Sequence, residues 1–211
     1  MSRLASLARP PVLLGLILLV QAVVYLPVAF SEPVVDDPKQ LDYVRAFDGW
    51  GDVFGPDSVG WFRPFKNLVF YVALPAPGET PTALKLLCLL LAMGNTVLVY
   101  AWLRGLCRAW WPAVAGAALF ALHPTLVSSV QFLSACNNQI ALGLLLGYLL
   151  LGERWTRADP AVPEAGARLS PACLATLGLV LMLALVAYEA AVAAVGVLAV
   201  LLVARDGWAG L

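Results

Sequence analysis

Long apolar runs are the feature of this sequence that most restricts its fold. A helix needs about 20 mainly apolar residues to cross the hydrocarbon core of a bilayer, where every backbone N–H and C=O has to be satisfied within the segment. The runs that meet or approach this length cover residues 11–30, 83–103, 110–133, 140–151, 169–187 and 190–204. The sequence therefore predicts an all-α, polytopic transmembrane helical bundle with five or six spans, the last two of which come from one long run divided at Glu189.

The composition agrees with this prediction and excludes several functions. Hydrophobic residues make up 62% of the 211 residues and charged residues only 12%, against about 45–50% and about 25% in soluble domains. The formal net charge is zero, so no overall charge attracts the chain to nucleic acid. The four cysteines are far apart and lack CxxC spacing. We expect them to be buried hydrophobic residues, and we expect no metal site.

The positions of Lys and Arg predict the orientation, because cytoplasmic segments next to spans are enriched in both. With a cytoplasmic N-terminus, eight Lys and Arg residues flank the inner ends of the spans and five lie outside, where eight of the 13 acidic residues also lie. We expect a multi-pass protein of the bacterial inner (plasma) membrane. A secretory signal is the alternative for the first run, but that run is longer than the roughly 7–15 residues of a signal's apolar core.

The external loop predicted at residues 31–66 is long for a connector, and loops of this length are often functional. Its aromatic residues favour short helices packed on the membrane face, for example at residues 39–47. Asp36 and Asp37 follow the first span directly. One of them could be a general base while the other binds a partner, or Asp37 could simply cap a helix that starts at Pro38. Spacing alone favours the cap.

Other candidate residues also have two readings each. Arg63 could hold a phosphate through its planar fork of donors or anchor the loop to lipid headgroups. His123, the only histidine, could carry a proton or contact a phosphate, although a lone histidine is more often hydrogen-bonded and structural. Glu189 within an apolar run is a functional candidate, or it marks a helix end. Polar residues that follow His123-Pro124, among them Ser128 and Asn138, are expected to line a cavity.

The order of these motifs resembles that of the membrane-embedded GT-C glycosyltransferases, in particular the O-mannosyltransferase-like branch that uses lipid-linked sugar donors. The similarity runs from Val34 to Glu189. The elements that carry it are Asp36-Asp37-Pro38 after the first span, Trp61-Phe62-Arg63-Pro64, Asn95 as the remnant of a His-x-x-Asn element, Ala118 to Pro124 with the complete sequence Ala-Leu-Phe-Ala-Leu-His-Pro, and Ala187-Tyr188-Glu189.

The resemblance implies a GT-C-like fold and a transfer of sugar from a polyprenyl-phosphate donor to an acceptor protein or glycan on the external face. The partners are then membrane lipids, the polyprenyl-phosphate sugar and that acceptor, with no nucleic acid and no cofactor. Asp36 or Asp37 resembles the catalytic base, Arg63 and His123 would line the donor phosphate, and Glu189 would neighbour the acceptor or the phosphate-binding groups. Asn95, Ser128 and Asn138 are the further substrate-binding candidates.

Departures from the family pattern leave other functions open. Neutral Ser128, Cys136 and Asn138 stand where the family carries Glu, Arg and Asp, which implies altered donor contacts or a catalytically inactive membrane scaffold that binds lipid-linked glycan. The family generally has more spans, so we expect residues 1–211 to form one transmembrane domain that is the N-terminal part of a larger GT-C-type module. A transporter subunit is the third candidate, because broken helices and polar residues within spans also occur in transporters.

Overall fold

Helices make up most of the protein in the computed structural model, which describes residues 10–74, 79–107, 109–156 and 171–188. Within these ranges no β-strand occurs, and the only strand-like pairing is an isolated bridge between Pro56 and Phe62. Short 3-10 helices cover Leu26–Phe30 and Leu133–Ala135. The α-helices are α1 Pro10–Tyr25, α2 Asp37–Arg45, α3 Trp50–Val53, α4 Pro64–Val72, α5 Thr82–Cys107, α6 Trp110–Ala121, α7 Thr125–Gln131, α8 Cys136–Thr156 and α9 Pro171–Ala187.

Three helices in the described part of the chain are long and apolar enough to cross a membrane: Pro10–Phe30, Thr82–Cys107 and Leu133–Arg154. The pair α6 and α7 counts as a fourth if the two helices, bent by 56° at their junction, form one broken span. The apolar part of α9, Ala172–Ala187, is shorter. These helices fit a membrane protein, as predicted. The run at residues 190–204 and Glu189 lie outside the described residues.

The fourth apolar run is longer in the structure than the sequence suggested. The sequence indicated residues 140–151, which are short for a crossing, whereas α8 extends from Cys136 to Thr156. The apolar run did not include the first residues of α8 because several of them are polar. One of them, Gln139, is buried and accepts hydrogen bonds from Asn95 Nδ2 of α5 at its backbone oxygen, 2.9 Å away, and at Oε1, 2.7 Å away. These two bonds pair polar groups of α5 and α8 in the interior of the bundle.

The break between α6 and α7 lies at residues 122–124. A residue before proline is disfavoured in helical conformation, and His123 precedes Pro124, so α6 ends at Ala121. The break releases backbone groups from the helix. The Tyr25 hydroxyl of α1 donates a hydrogen bond to the His123 carbonyl at 3.1 Å and so satisfies one of them.

Helix α5 contacts α1, α6 and α8, and α9 packs on α8. A stripe of small buried residues on α6, Ala113, Ala117 and Ala121, allows close approach of a neighbouring helix. Thr96 of α5 donates to Gln21 Oε1 of α1 at 3.0 Å. Small side chains and paired polar groups therefore hold these helices together.

The first loop folds as a cap on one end of the bundle. Leu41 and Val44 of α2 and Phe70 of α4 form one buried cluster, and the bundle contributes Leu84, Cys88, Leu133 and Cys136 to it. The buried Lys85 ammonium of α5 donates to the Ser31 carbonyl at 2.6 Å, to Ser31 Oγ at 2.7 Å and to the Glu32 carbonyl at 2.9 Å. The loop is therefore fixed to α5 at its beginning and packed on the bundle along α2 and α4.

Candidate functional site

A cleft of about 320 Å³ lies where the first loop meets the start of α8 and the end of α9. We call it the loop cleft. Its volume is at the lower end of the roughly 300–1,000 Å³ that small-molecule sites occupy. The polar and charged residues that line it include Asp36, Arg63, Lys66, Ser134, Asn137 and Asn138.

Asp36 is the carboxylate of the predicted acidic pair that faces this cleft. Its side chain is exposed and makes no hydrogen bond within the described part of the chain, not even to the helix α2 that it precedes. The neighbouring Val35 has a φ of 53°, in the left-handed region that a β-branched residue rarely enters. A backbone outlier of this kind costs about 1–3 kcal/mol and often occurs at functional sites. The geometry leaves the Asp36 carboxylate free to accept a proton from a bound molecule.

Asp37 has a different environment and does not line the loop cleft. It is fully buried, and its Oδ1 accepts a hydrogen bond from the Ser134 N–H at 3.0 Å. Its Oδ2 lies 3.4 Å from the Val34 N–H. Helix α2 begins at Asp37 itself, so Asp37 is not a cap that precedes the helix. Its carboxylate instead contacts the backbone of Val34, before the helix, and of Ser134, far along the chain. Asp37 therefore connects the first loop to the segment that leads into α8.

Arg63, Lys66 and Asp57 form a charged cluster along one wall of the loop cleft. The Asp57 carboxylate is buried and accepts a hydrogen bond from Lys66 Nζ, with Arg63 Nη1 3.8 Å away. Burial would raise the pKa of Asp57, but the hydrogen bond from Lys66 and those from the Trp61 and Val59 N–H groups outweigh it and lower that pKa below its usual 3.8. The ionised Asp57 thus holds both cations at the cleft.

Aromatic rings fix the position of the Arg63 guanidinium. Its Cζ lies 5.7 Å from the centre of the Trp61 ring and 5.4 Å from that of Tyr188, within the range of cation–π attraction. Tyr188 follows the end of α9 and also lines the loop cleft. Arg63 therefore links the first loop to the last described helix.

Asn137 is an incompletely satisfied polar residue in the same cleft. It lies in the first turn of α8 and is only 1% exposed. Its Nδ2 is buried and has no hydrogen-bond partner among the described residues. A buried donor without a partner costs about 1–3 kcal/mol, so the cleft contains a group whose hydrogen-bonding capacity is unused within the described part of the chain.

A second, more apolar cleft of about 460 Å³ lies between α6, α7 and α8. We call it the helix cleft. Leu119, Leu126 and Leu142 line it together with His123, and Asn138 lines both clefts. The helix cleft therefore adjoins the loop cleft at Asn138.

His123 uses one ring nitrogen to stabilise the turn before α7. Its Nδ1 lies 2.7 Å from Thr125 Oγ1 and 3.3 Å from the Thr125 backbone nitrogen. A backbone N–H can only donate, so Nδ1 is the acceptor of the bond from Thr125. The structure places His123 in the helix cleft, apart from the Arg63 side of the site.

Two further predicted residues lie elsewhere, and a third is outside the described residues. Asn95 is buried between α5 and α8 and pairs with Gln139. Ser128 is directed to its own helix, where its Oγ donates to the Thr125 carbonyl at 2.7 Å, and it lines neither cleft. Glu189 lies outside the described residues, although its neighbour Tyr188 lines the loop cleft.

The structure also adds residues that were not among the catalytic or substrate-binding candidates from the sequence. These are Asp57, Lys66, Ser134, Asn137 and Tyr188. Lys66 lies in the first turn of α4, three residues after Arg63, which immediately precedes that helix, and this proximity in sequence could have indicated it. No sequence signal distinguished Asn137 from Asn138, since both are polar residues at the edge of an apolar run. Comparison of the chain with protein-family models, with curated proteins and with solved structures finds no match.

Proposed function

We propose that this protein is a membrane glycosyltransferase of the GT-C type that transfers a sugar from a polyprenyl-phosphate donor to a hydroxyl acceptor on the external face. The observation that carries the proposal is that a free carboxylate, Asp36, and two cations, Arg63 and Lys66, line one cleft at the end of the bundle. General-base catalysis and stabilisation of a leaving phosphate require these two kinds of group close together.

In the proposed reaction, Asp36 takes the proton from the acceptor hydroxyl. The acceptor oxygen then forms a bond to the anomeric carbon of the sugar, while the bond from that carbon to the phosphate oxygen breaks. The phosphate leaves with the bonding electron pair and remains attached to its lipid. Arg63 and Lys66 favour this departure because negative charge grows on the phosphate as the bond breaks.

The two clefts suit a ligand with a polar head and an apolar tail. Charged and polar residues are prominent in the lining of the loop cleft, whereas the helix cleft is the more apolar of the two and contains Leu119, Phe120, Leu126 and Leu142. Asn138 lines both, and we propose that a donor with its phosphate and sugar in the loop cleft passes Asn138 and places its polyprenyl chain in the helix cleft. In this arrangement His123 lies beside the polyprenyl chain of the donor and stabilises the turn before α7. Arg63 binds the phosphate, and His123 does not contact it.

Asp37 is excluded from the role of base in this proposal. Its carboxylate is buried and accepts a hydrogen bond from Ser134, so an acceptor hydroxyl does not reach it. The resemblance to the family left the choice between the two aspartates open, and the contacts of each carboxylate support Asp36.

The proposal is tested with membranes that contain the full chain and with polyprenyl-phosphate mannose labelled in the sugar. We expect label to move from lipid to protein or glycan, and we expect Asp36→Asn to reduce the rate by about 10²–10⁴-fold, the usual contribution of a general base. Arg63→Gln is expected to lower the rate as well, because the leaving phosphate loses a charge-assisted hydrogen bond. Transfer by Asp36→Asn at the rate of the unmodified chain contradicts the proposal.

A protein that binds the lipid but transfers nothing gives a different result. Membranes with the unmodified chain then retain all label in the lipid, while Arg63→Gln still weakens binding of the lipid phosphate. This result identifies the inactive scaffold, the alternative that the neutral Ser128, Cys136 and Asn138 leave open.

A further inference from the structure

We infer that the side-chain amide of Asn137 is a phosphate-binding group of the loop cleft and donates a hydrogen bond from Nδ2 to a non-bridging phosphate oxygen of the lipid ligand. The inference rests on the proposed function for the identity of that ligand. It assigns to a residue outside the family motifs a contact that the resemblance gave to His123.

The unused hydrogen-bonding capacity of Asn137 is the first observation. Its Nδ2 is buried, has no partner among the described residues, and belongs to a residue that lines the loop cleft. Gln21 Nε2 also has no partner, but Gln21 is not among the residues that line this cleft. Buried donors in native proteins nearly always have an acceptor, and for a donor at the wall of a cleft that acceptor is a water in the cleft or a ligand that displaces it.

The surroundings of Asn137 determine the kind of acceptor. Arg63 and Lys66 line the same cleft, and an anionic oxygen is the acceptor that such cations attract. Asn137 also lies in the first turn of α8, a helix of 21 residues, where the helix dipole favours negative charge. A phosphate oxygen satisfies all of these groups. It is negatively charged, and because it only accepts hydrogen bonds it matches an amide N–H.

His123 does not provide the same contact. Its Nδ1 accepts a hydrogen bond from the Thr125 N–H, and it lines the helix cleft with Leu119 and Leu126 rather than the loop cleft with Arg63. Asn138 separates the two environments, because it lines both. The phosphate contact therefore belongs to the residue that shares a cleft with Arg63.

A ligand-binding role has a signature that a structural role lacks. Replacing Asn137 by Leu, which has the same branched arrangement of heavy atoms, removes an unsatisfied donor from the ligand-free protein. We expect Asn137→Leu to raise the thermal midpoint of the ligand-free protein by about 3 °C while it weakens ligand binding. Asn67 is the matched control, because it is equally buried but its Nδ2 contacts the carbonyls of Val53, Gly55 and Pro56. Asn67→Leu should therefore lower the midpoint.

The experiment measures binding of farnesyl phosphate and of farnesol to the purified full chain in detergent. Farnesol has the same tail without the phosphate. We expect Asn137→Leu to weaken farnesyl phosphate binding roughly tenfold, as one hydrogen bond to a charged group contributes, and to leave farnesol binding unchanged. Asn137→Asp should weaken farnesyl phosphate binding more strongly, because a carboxylate lacks the donor and repels the phosphate.

Several results overturn the inference. The first is equal binding of farnesyl phosphate by Asn137→Leu and by the unmodified chain. The second is unchanged binding of farnesyl phosphate by Asn137→Asp, which indicates that the partner of residue 137 is a hydroxyl. The third is equal affinity of the unmodified chain for farnesyl phosphate and for farnesol. None of these measurements uses sugar transfer. If the unmodified chain transfers no sugar but shows the expected binding pattern, the Asn137 contact holds and the enzymatic proposal fails.

Discussion

The Asp37 carboxylate accepts a hydrogen bond from the Ser134 N–H, 97 residues further along the chain, with Oδ1 and N separated by 3.0 Å. This bond joins the first loop to the segment before α8, and both form the walls of the loop cleft. The adjacent Asp36 carboxylate has no such bond and faces the cleft. Neighbouring acidic residues thus have separate tasks, one in holding the site together and the other in its proposed chemistry.

The different tasks predict opposite phenotypes for two substitutions of the same kind. Asp37→Asn should lower the free energy of unfolding by about 1–3 kcal/mol, because an amide places donors against the Val34 or Ser134 N–H. Asp36→Asn should change it by less than about 0.5 kcal/mol, as is usual for an exposed side chain without hydrogen bonds. Thermal unfolding in detergent, followed by circular dichroism, measures both. Equal destabilisation by the two variants would show that Asp36 also has a structural partner.

Asp57 should make the stability of the protein depend on pH in the acid range. Its folded-state pKa lies below 3.8, so the stabilisation from ionised Asp57 is complete above the unfolded pKa and is lost as the pH falls below about 4. Asp57→Asn should therefore be less stable than the unmodified chain at neutral pH, and the difference should shrink as the pH falls through this window. Asp42→Asn is the control, because Asp42 is exposed and its partner Arg45 is on its own helix. A constant difference between pH 7 and pH 3 for Asp57→Asn would contradict the assignment.

The positive φ of Val35 predicts that glycine is tolerated there. Val35 is 76% exposed, so Val35→Gly loses little burial while it relieves a conformation that costs an L-residue about 1–2 kcal/mol. The greater freedom of glycine in the unfolded chain offsets up to about 1 kcal/mol of this gain, and we expect unchanged or slightly higher stability. Gly60, with a φ of 90°, is the matched position, and Gly60→Ala should destabilise. Urea unfolding of both variants provides the comparison, and a loss of more than 1 kcal/mol in Val35→Gly would refute the strain argument.

His123 should be replaceable by a residue that preserves its acceptor. Asparagine places Oδ1 near the position of histidine Nδ1 and accepts from a backbone N–H two residues on, so His123→Asn should retain most of the stability. His123→Leu loses the acceptor for the Thr125 N–H and should cost about 1 kcal/mol, as the loss of a helix cap does. Differential scanning fluorimetry distinguishes the two. If both variants are equally destabilised, the ring of His123 stabilises the protein through packing rather than through Nδ1.

The helical class and several element boundaries could be predicted from the sequence because they depend on local pattern. Apolar length predicted the helices at Pro10–Phe30 and Thr82–Cys107, and the position of Pro124 after His123 accounts for the break between α6 and α7. The extent of α8 could not be predicted in the same way. Its first turn is polar, and only the pairing of Asn95 with Gln139 across two helices shows why such residues are buried.

The candidate site was only partly predictable for the same reason. The sequence alone determined that the chain is helical and apolar enough for a membrane, and it supplied Asp36, Arg63 and Asn138 as candidate residues. Tertiary structure decided that these three share a cleft with Lys66 and Asn137, that Asp37 is bound to Ser134, and that His123 lies in the neighbouring cleft. Apolar length is a property of consecutive residues, whereas the partner of a buried carboxylate or amide depends on contacts between segments distant in the chain.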